Sequence, residues 1–166
     1  MKKLILVRHA KSSWRDISLR DHDRPLNGRG KRDGPFMARL LAARHKDQPI
    51  LVSSTANRAY TTAKYFAEAF GQSEAGIRLE DAIYEASTMT LQQVIAGLKP
   101  DWDTVVLFGH NPGFTMLANL FYGDKYIDNL PTCGIVEILG EEVTDWNDFS
   151  PTTAQVTAIH YPKQYV

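Results

Sequence analysis

Leu4-Ile5-Leu6-Val7-Arg8-His9-Ala10-Lys11-Ser12 is the stretch that decides the reading of this chain. Four consecutive aliphatic residues spell a strand buried on both faces, as in a parallel sheet. Arg8 and His9 follow at once and therefore stand at the strand's carboxyl end. In open α/β sheets ligands collect at that edge. A histidine ring nitrogen can attack phosphorus, and a fixed guanidinium can hold phosphate oxygens. The strand is expected over 3–7. A long polar loop over 9–26 follows, carrying Asp21, Asp23, Arg24 and Pro25. Loops of that length are often functional.

Working outward, strand-like and helix-like segments alternate, which argues for an α/β sandwich. A helix is expected over about 27–46, with Phe36, Met37, Leu40, Leu41 and Ala43 on its apolar face and irregular first turns at Gly34-Pro35. Ile50-Leu51-Val52 reads as a second buried strand, and 57–70 as a helix stopped by Gly71. Ile77-Arg78-Leu79 reads as a short strand. Thr88 reads as the N-cap of a helix carrying Leu91, Val94, Ile95 and Leu98. Residues 104–108 form the third buried strand. Asn111 reads as the cap of the next helix and Pro112 as its first residue, with Gly109 and Gly113 letting backbone approach a ligand. Two further strands are expected at 135–139 and 155–160, the last at a sheet edge. The three buried strands end in three polar loops, at Arg8-His9, at Ser53 to Arg58 and at His110-Asn111. Parallel neighbours would open all three loops on one side of the sheet.

The 166 residues suit one domain spanning 1–166. Formal net charge is zero, so the chain has no bulk attraction for nucleic acid or acidic membranes, and neither is expected as a partner. The distribution is uneven. Residues 1–46 carry 13 Lys/Arg against 4 Asp/Glu, and residues 47–166 carry 6 against 15. Such asymmetry can mark an anion-binding face, or it can be neutralised across the folded chain. Cys133 is the single cysteine, so no intramolecular disulfide forms. That fits a reducing compartment, and the expected location is the cytoplasm. Cys133 lies in Pro131-Thr132-Cys133-Gly134 rather than at the end of an apolar strand, and reads as a small buried residue. Met1-Lys2-Lys3 before an apolar run imitates a signal peptide, but the run stops at Arg8, short of the ~7–15 residues such a segment needs. No stretch approaches the ~20 apolar residues of a membrane span.

Four side chains carry the chemistry. His9 is flanked by Arg8 and Lys11, and cations crowding an imidazole favour its neutral, nucleophilic form. His110 sits just before a helix start, where free backbone N–H groups bind anions. Gly-His-Asn-Pro-Gly also suits a plain strand-to-helix turn. Arg58 falls in the first turn of its helix, where the dipole disfavours a cation by ~0.3–1 kcal/mol. Either a bound anion or a salt bridge to an acidic residue would account for it. No Walker-type loop, no His-Glu-x-x-His spacing and no Cys pair is present, so no metal or other cofactor is expected.

Leu-Val-Arg8-His9-Ala10-Lys11-Ser12, Asp23-Arg24-Pro25-Leu26 with Gly30, Ser54-x-x-x-Arg58-x-x-x-Thr62-Ala63, and Gly109-His110-Asn111-Pro112-Gly113 together resemble the histidine phosphatase superfamily. Within it they resemble the small SixA-type phosphohistidine phosphatases, over roughly residues 3–140. The resemblance implies a three-layer α/β/α sandwich of phosphoglycerate mutase-like type with a mostly parallel central sheet. It implies a metal-independent phosphatase with a phosphohistidine intermediate. By position, His9 is then the nucleophile, Arg8 and Arg58 bind phosphate, and His110 is the second histidine of the pocket. His110 and the adjacent Asn111 are expected to contact the phosphate as well. Larger relatives use an acidic proton donor, and Glu85 in Tyr84-Glu85-Ala86 falls in the corresponding stretch. Glu85 would donate the proton, cap a helix or form a local salt bridge. Asp21 and Asp23 are weaker acids for that role and could instead hold Arg24. The expected partner is a phosphorylated protein carrying phosphohistidine, because no large insertion between Arg58 and His110 closes the site. A small phosphorylated molecule, handled by a phosphomonoesterase or mutase-like enzyme, is the alternative. A phosphate-binding module without turnover is the reading from another class.

Overall fold

Side chains alternate in direction along a strand, and this sorts the aliphatic runs into two cores. In the computed structural model, which describes residues 1–165, strand β1 (Lys2–Arg8) sends Leu4 and Leu6 to one face and Ile5 and Val7 to the other. Strands β2 (Ile50–Ser53), β3 (Arg78–Leu79), β4 (Thr104–Gly109), β5 (Ile135–Gly140) and β6 (Gln155–His160) complete the sheet. Their spatial order is β3-β2-β4-β1-β5-β6. The first four in that order are parallel neighbours. Strand β5 runs antiparallel to both β1 and β6, which leaves β6 at an edge, as its sequence suggested.

Helices α1 (Gly28–Arg44) and α2 (Asn57–Ala69) cover the Ile5 face, where Met37, Leu41, Ala63 and Phe66 meet Val106 and Phe108. Helices α3 (Thr88–Ala96) and α4 (Gly113–Leu120) cover the Leu4 face, joined by Trp146 and Phe149. The result is a three-layer α/β/α sandwich on a mostly parallel sheet. Both faces of β1 and β4 are closed to water, which is why their sequences read as unbroken apolar runs.

Several local expectations need correction. Ser87, not Thr88, caps α3, its Oγ accepting from the Thr90 amide at 3.2 Å. Helix α4 begins at Gly113, and the cis peptide Asn111-Pro112 lies outside it. Pro112 takes the N-cap position, and Asn111, one residue earlier, still satisfies a first-turn amide of α4, its Oδ1 accepting from Thr115 N at 3.1 Å. A side chain at Gly109 would strike the Phe114 ring at 2.5 Å, and one at Gly113 the Ala86 carbonyl oxygen at 2.5 Å. Those two glycines permit close packing of protein on protein rather than approach to a ligand. Cys133 is fully buried, and burial pushes its thiol up, away from thiolate chemistry.

Helix α1 is seated on the loop after β1. Asn27 caps it by accepting from the Gly30 amide at 2.9 Å, and the Asn27 amide donates to Lys11 O at 2.9 Å. A Cβ at Gly30 would lie 2.2 Å from Lys11 O, so only glycine allows this contact. The basic residues in the first turns of α1 are thereby brought beside Arg8 and Lys11.

Candidate active site

Register places the pocket. Arg8 pairs with Gly109 across β1 and β4, and Ser53 pairs with Phe108 across β2 and β4. The ladder continues one step further, with His9 N donating to Gly109 O at 3.0 Å and Ser54 N to Phe108 O at 2.9 Å. His9, Ser54 and His110 thus leave adjacent parallel strands at the same edge. The His9 and His110 ring centroids lie 5.2 Å apart. Thr62 ties α2 to this edge, since its Oγ1 accepts from Ala10 N at 3.0 Å and donates to Arg58 O at 2.7 Å. Arg58, in the first turn of α2, is thereby held over the two imidazoles. The structure brings Arg8, His9, Arg58 and His110 together.

A carbonyl partner fixes the His9 tautomer, and the Ser54 contact favours one tautomer of His110. His9 Nδ1 lies 2.7 Å from Ala10 O, and a carbonyl only accepts. The ring proton is on Nδ1, leaving a lone pair on Nε2. His110 Nε2 lies 2.8 Å from Ser54 Oγ, which already accepts from the Ala56 amide at 3.2 Å. Among the described residues, the Ser54 hydroxyl hydrogen has that Nε2 as its acceptor. Nδ1 of His110 then carries the proton as a donor. It is buried without a partner among the described residues, as are Arg8 Nε and Arg58 Nε. Three buried N–H donors on the residues gathered around the His9 ring suit an oxyanion with several oxygens.

Both histidines are driven to the neutral form, at about 3 each. For His9 burial is the largest cause. The Ala10 hydrogen bond opposes it, and His110, Arg58 and Arg8 add to it. The crowding cations read from the sequence are thus the smaller part. Nuclear magnetic resonance titration of the unliganded protein checks this. The ring signals of His9 and His110 are expected to stay neutral from pH 8 down to about pH 4, well below the ordinary histidine value of ~6.5. A midpoint near that ordinary value for either ring would contradict it.

Asp21, at the tip of the loop after His9, organises the cations. Its backbone oxygen accepts from Arg58 Nη1 at 2.7 Å and its Oδ2 from Arg58 Nη2 at 2.9 Å. Oδ2 also accepts from the Tyr84 hydroxyl at 2.6 Å, and Oδ1 from Arg24 Nε at 3.1 Å. Burial pushes this carboxyl up, but the Tyr84 and Arg58 hydrogen bonds outweigh it and hold it well below the usual carboxylate range. Asp21 is therefore an anchor rather than a proton donor. Arg58 does form the salt bridge its helix position allowed, and its Nε is buried without a partner among the described residues. Tyr84 packs its ring edge against His110, with centroids 5.5 Å apart. Its hydroxyl is pushed up to about 12 by burial and by Asp21, so it stays protonated.

Two other sequence candidates are placed differently. Glu85 is exposed, with a left-handed φ of 55°, and its carboxylate makes no hydrogen bond among the described residues. Asn111 spends its side chain on the protein. Its Oδ1 accepts from Thr115 N at 3.1 Å and Oγ1 at 2.8 Å, and its Nδ2 donates to Leu130 O at 2.9 Å. Leu130 O also accepts from Arg8 Nη1 at 2.9 Å, so Asn111 braces the loop that holds Arg8. Among the described residues, no group of three or more His, Cys, Asp or Glu is arranged to hold a metal ion. Ser54, Thr62 and Tyr84 carried no site signal of their own, apart from the spacing of Ser54 and Thr62 around Arg58.

Fold and pocket together define a class: an α/β protein with a cationic pocket of two neutral imidazoles at the carboxyl edge of its sheet. The chain belongs to the histidine phosphatase superfamily (branch 1), whose family model matches residues 4–109. It is 36% identical over 140 residues to an uncharacterized chloroplastic protein of Arabidopsis thaliana, covering 80% of this chain and 63% of that one. The chain thus spans under two thirds of that relative's length. Phosphoserine phosphatase 1 of Hydrogenobacter thermophilus is 42% identical over 73 residues, covering 42% of this chain and 33% of that one. The crystal structure of the putative phosphohistidine phosphatase SixA from Agrobacterium tumefaciens superposes with a TM-score of 0.80 at 26% identity, covering 97% of this chain and 98% of that one.

Proposed function

We propose that this protein hydrolyses phosphohistidine in proteins through a covalent intermediate on His9. The observation that carries the reading is the Nδ1 hydrogen bond of His9 to Ala10 O. It aims a neutral Nε2 lone pair outward among Arg8, Arg58 and His110. Nε2 attacks phosphorus in line, and the substrate's N–P bond breaks. The departing imidazole takes a proton from solvent. Arg8 Nε, Arg58 Nε and His110 Nδ1–H hold the equatorial oxygens. The positive charge arising on the His9 ring is shared with the Ala10 carbonyl through Nδ1–H. Water then adds to phosphorus, the Nε2–P bond breaks, and inorganic phosphate leaves. Transfer between two imidazoles is nearly balanced in energy, so this reading assigns no step to the exposed Glu85.

A protein substrate is favoured because the segments between α2 and β4 are short turns, β3 and α3, with no lid domain among them. The likeness to the putative phosphohistidine phosphatase SixA from Agrobacterium tumefaciens supports it. The similarity to a phosphoserine phosphatase favours a second reading, a small phosphomonoester as substrate. Intact-mass spectrometry with an acid-free quench separates the two. The protein is offered, with chelator present, a phosphohistidine-bearing protein, phosphoserine and an aryl phosphate. The expected result is gain of one phosphoryl group on His9, fastest from the phosphohistidine protein. Faster loading from phosphoserine selects the second reading. Tight phosphate binding with neither label nor turnover selects the module without catalysis.

A further inference from the structure

Beside the pocket, and sharing Arg8 with it, runs a groove of about 590 Å³. Among the described residues its cations are Arg8, Lys11, Arg29, Arg32 and Lys163, against the single carboxylate of Asp33. We propose that this groove docks an acidic segment flanking the phosphorylated residue of a protein substrate. This rests on the phosphoprotein reading above and adds the substrate's local chemistry.

The charge is built in by the fold. Arg29, Arg32 and Asp33 occupy one side of the first turns of α1, at helical spacings of three and four. That helix is clamped to Lys11 O through Asn27 and the Gly30 contact. Lys11 follows the nucleophile by two positions, and Lys163 arrives from the short turn after β6. Asp33 lies inward, its side chain 9% exposed, at 3.6 Å from Arg29 Nε and 3.5 Å from Arg32 Nε. The two arginine side chains remain 50% and 74% exposed. Arg29 is further aimed by donating Nη2 to Thr132 Oγ1 at 3.0 Å. The charges of Arg29 and Arg58, after burial, lower the proton affinity of Arg8, so the groove and the pocket share one positive field. Among the described residues Lys11 and Lys163 enter no ion pair. One phosphate does not need so large a space, which is on the scale of pockets that enclose ligands of many atoms. Several carboxylates following a phosphorylated side chain would fill it with matching charge.

The test compares two phosphohistidine peptides that differ only in their flanks, four glutamates against four glutamines. At low salt, kcat/KM is expected to be about tenfold higher for the acidic peptide, with the difference in KM, and salt should erase it. In the double variant Arg32→Gln, Lys163→Gln the acidic-to-neutral ratio is expected to fall towards one. A ratio near one in the unaltered protein, or one unmoved by the variant, overturns the proposal. If neither peptide is turned over, the phosphohistidine reading fails but the groove remains testable. Unphosphorylated forms of the same peptides are then compared as inhibitors of aryl phosphate hydrolysis. Salt-sensitive inhibition by the acidic form alone supports the groove. Equal inhibition by both, or stronger inhibition by a single-stranded oligonucleotide of equal charge, overturns it.

Discussion

Replacing His9 by alanine is expected to lower phosphate release by about 10⁴-fold or more. The size follows from the role. Arg8, Arg58 and His110 can orient a phosphoryl group and neutralise its charge, but none offers an unprotonated nitrogen at phosphorus. Arginine stays protonated, and the His110 lone pair is engaged by the Ser54 hydroxyl. The variant should still bind inorganic phosphate or vanadate, because the three donors survive. The measurements are steady-state turnover of an aryl phosphate and phosphate binding by calorimetry, together with a melting curve. His9 is buried and touches the sheet edge through its backbone, so the side-chain deletion leaves β1 paired with β4. Turnover within tenfold of the parent, in a folded variant, removes His9 from the mechanism. Lost turnover with lost phosphate binding would instead mean that the pocket itself had collapsed.

The parts of the site that could be read from sequence are those tied to a buried strand's end. An uninterrupted apolar run specifies both the strand and its carboxyl edge, so Arg8-His9 and His110 could be placed from local pattern. Arg58 was detectable for a different reason, since a cation in a helix's first turn opposes the dipole and needs an anion. Asp21 supplies one. That choice was invisible, because Asp21, Asp23 and Arg24 share a long loop whose fold decides which carboxylate reaches Arg58. Ser54 and Tyr84 are ordinary at their positions, and only proximity to His110 gives them a task. Asn111 resembles a cap in sequence and does accept from the first-turn amide of Thr115, but its other task, donating to Leu130 O, depends on a loop that local pattern does not reveal. The basic excess of the first 46 residues kept both its readings in part. Arg8, Lys11, Arg29 and Arg32 line the groove proposed to take an acidic segment, while Arg24 is paired with Asp21 and stacks 3.5 Å over Trp14.

A buried carboxylate outside the pocket accounts for the largest expected loss of stability. Glu137 sits on β5 at 4% exposure, on the same face as Ile135, in a strand that otherwise reads as plain core. Strand alternation gives no hint of it, because both faces of β5 are covered. Its Oε1 accepts from His45 Nε2 at 2.6 Å, and its Oε2 from His160 Nε2 at 2.8 Å and Arg44 Nε at 3.0 Å. The end of α1, β5 and β6 are joined at this one group. Burial pushes the carboxyl up, but the hydrogen bonds from His45 and His160 and the Arg44 charge bring it down to about 2. Glu137→Ala leaves three donors facing a void and is expected to cost about 3–5 kcal/mol. For a chain of this size that is roughly 10 °C in melting temperature. Glu137→Gln keeps the volume and removes the charge. The folded carboxyl lies below its ordinary value of 4.5, so its contribution is present above that value and lost as pH falls through about 2. Urea unfolding of the parent and the Gln variant at pH 5 should differ by about 3 kcal/mol, and the gap should close progressively towards pH 2. A gap that stays constant from pH 5 to 2 would show that Glu137 acts through shape rather than charge, and equal midpoints at pH 5 would show that the ion cluster adds nothing to the fold.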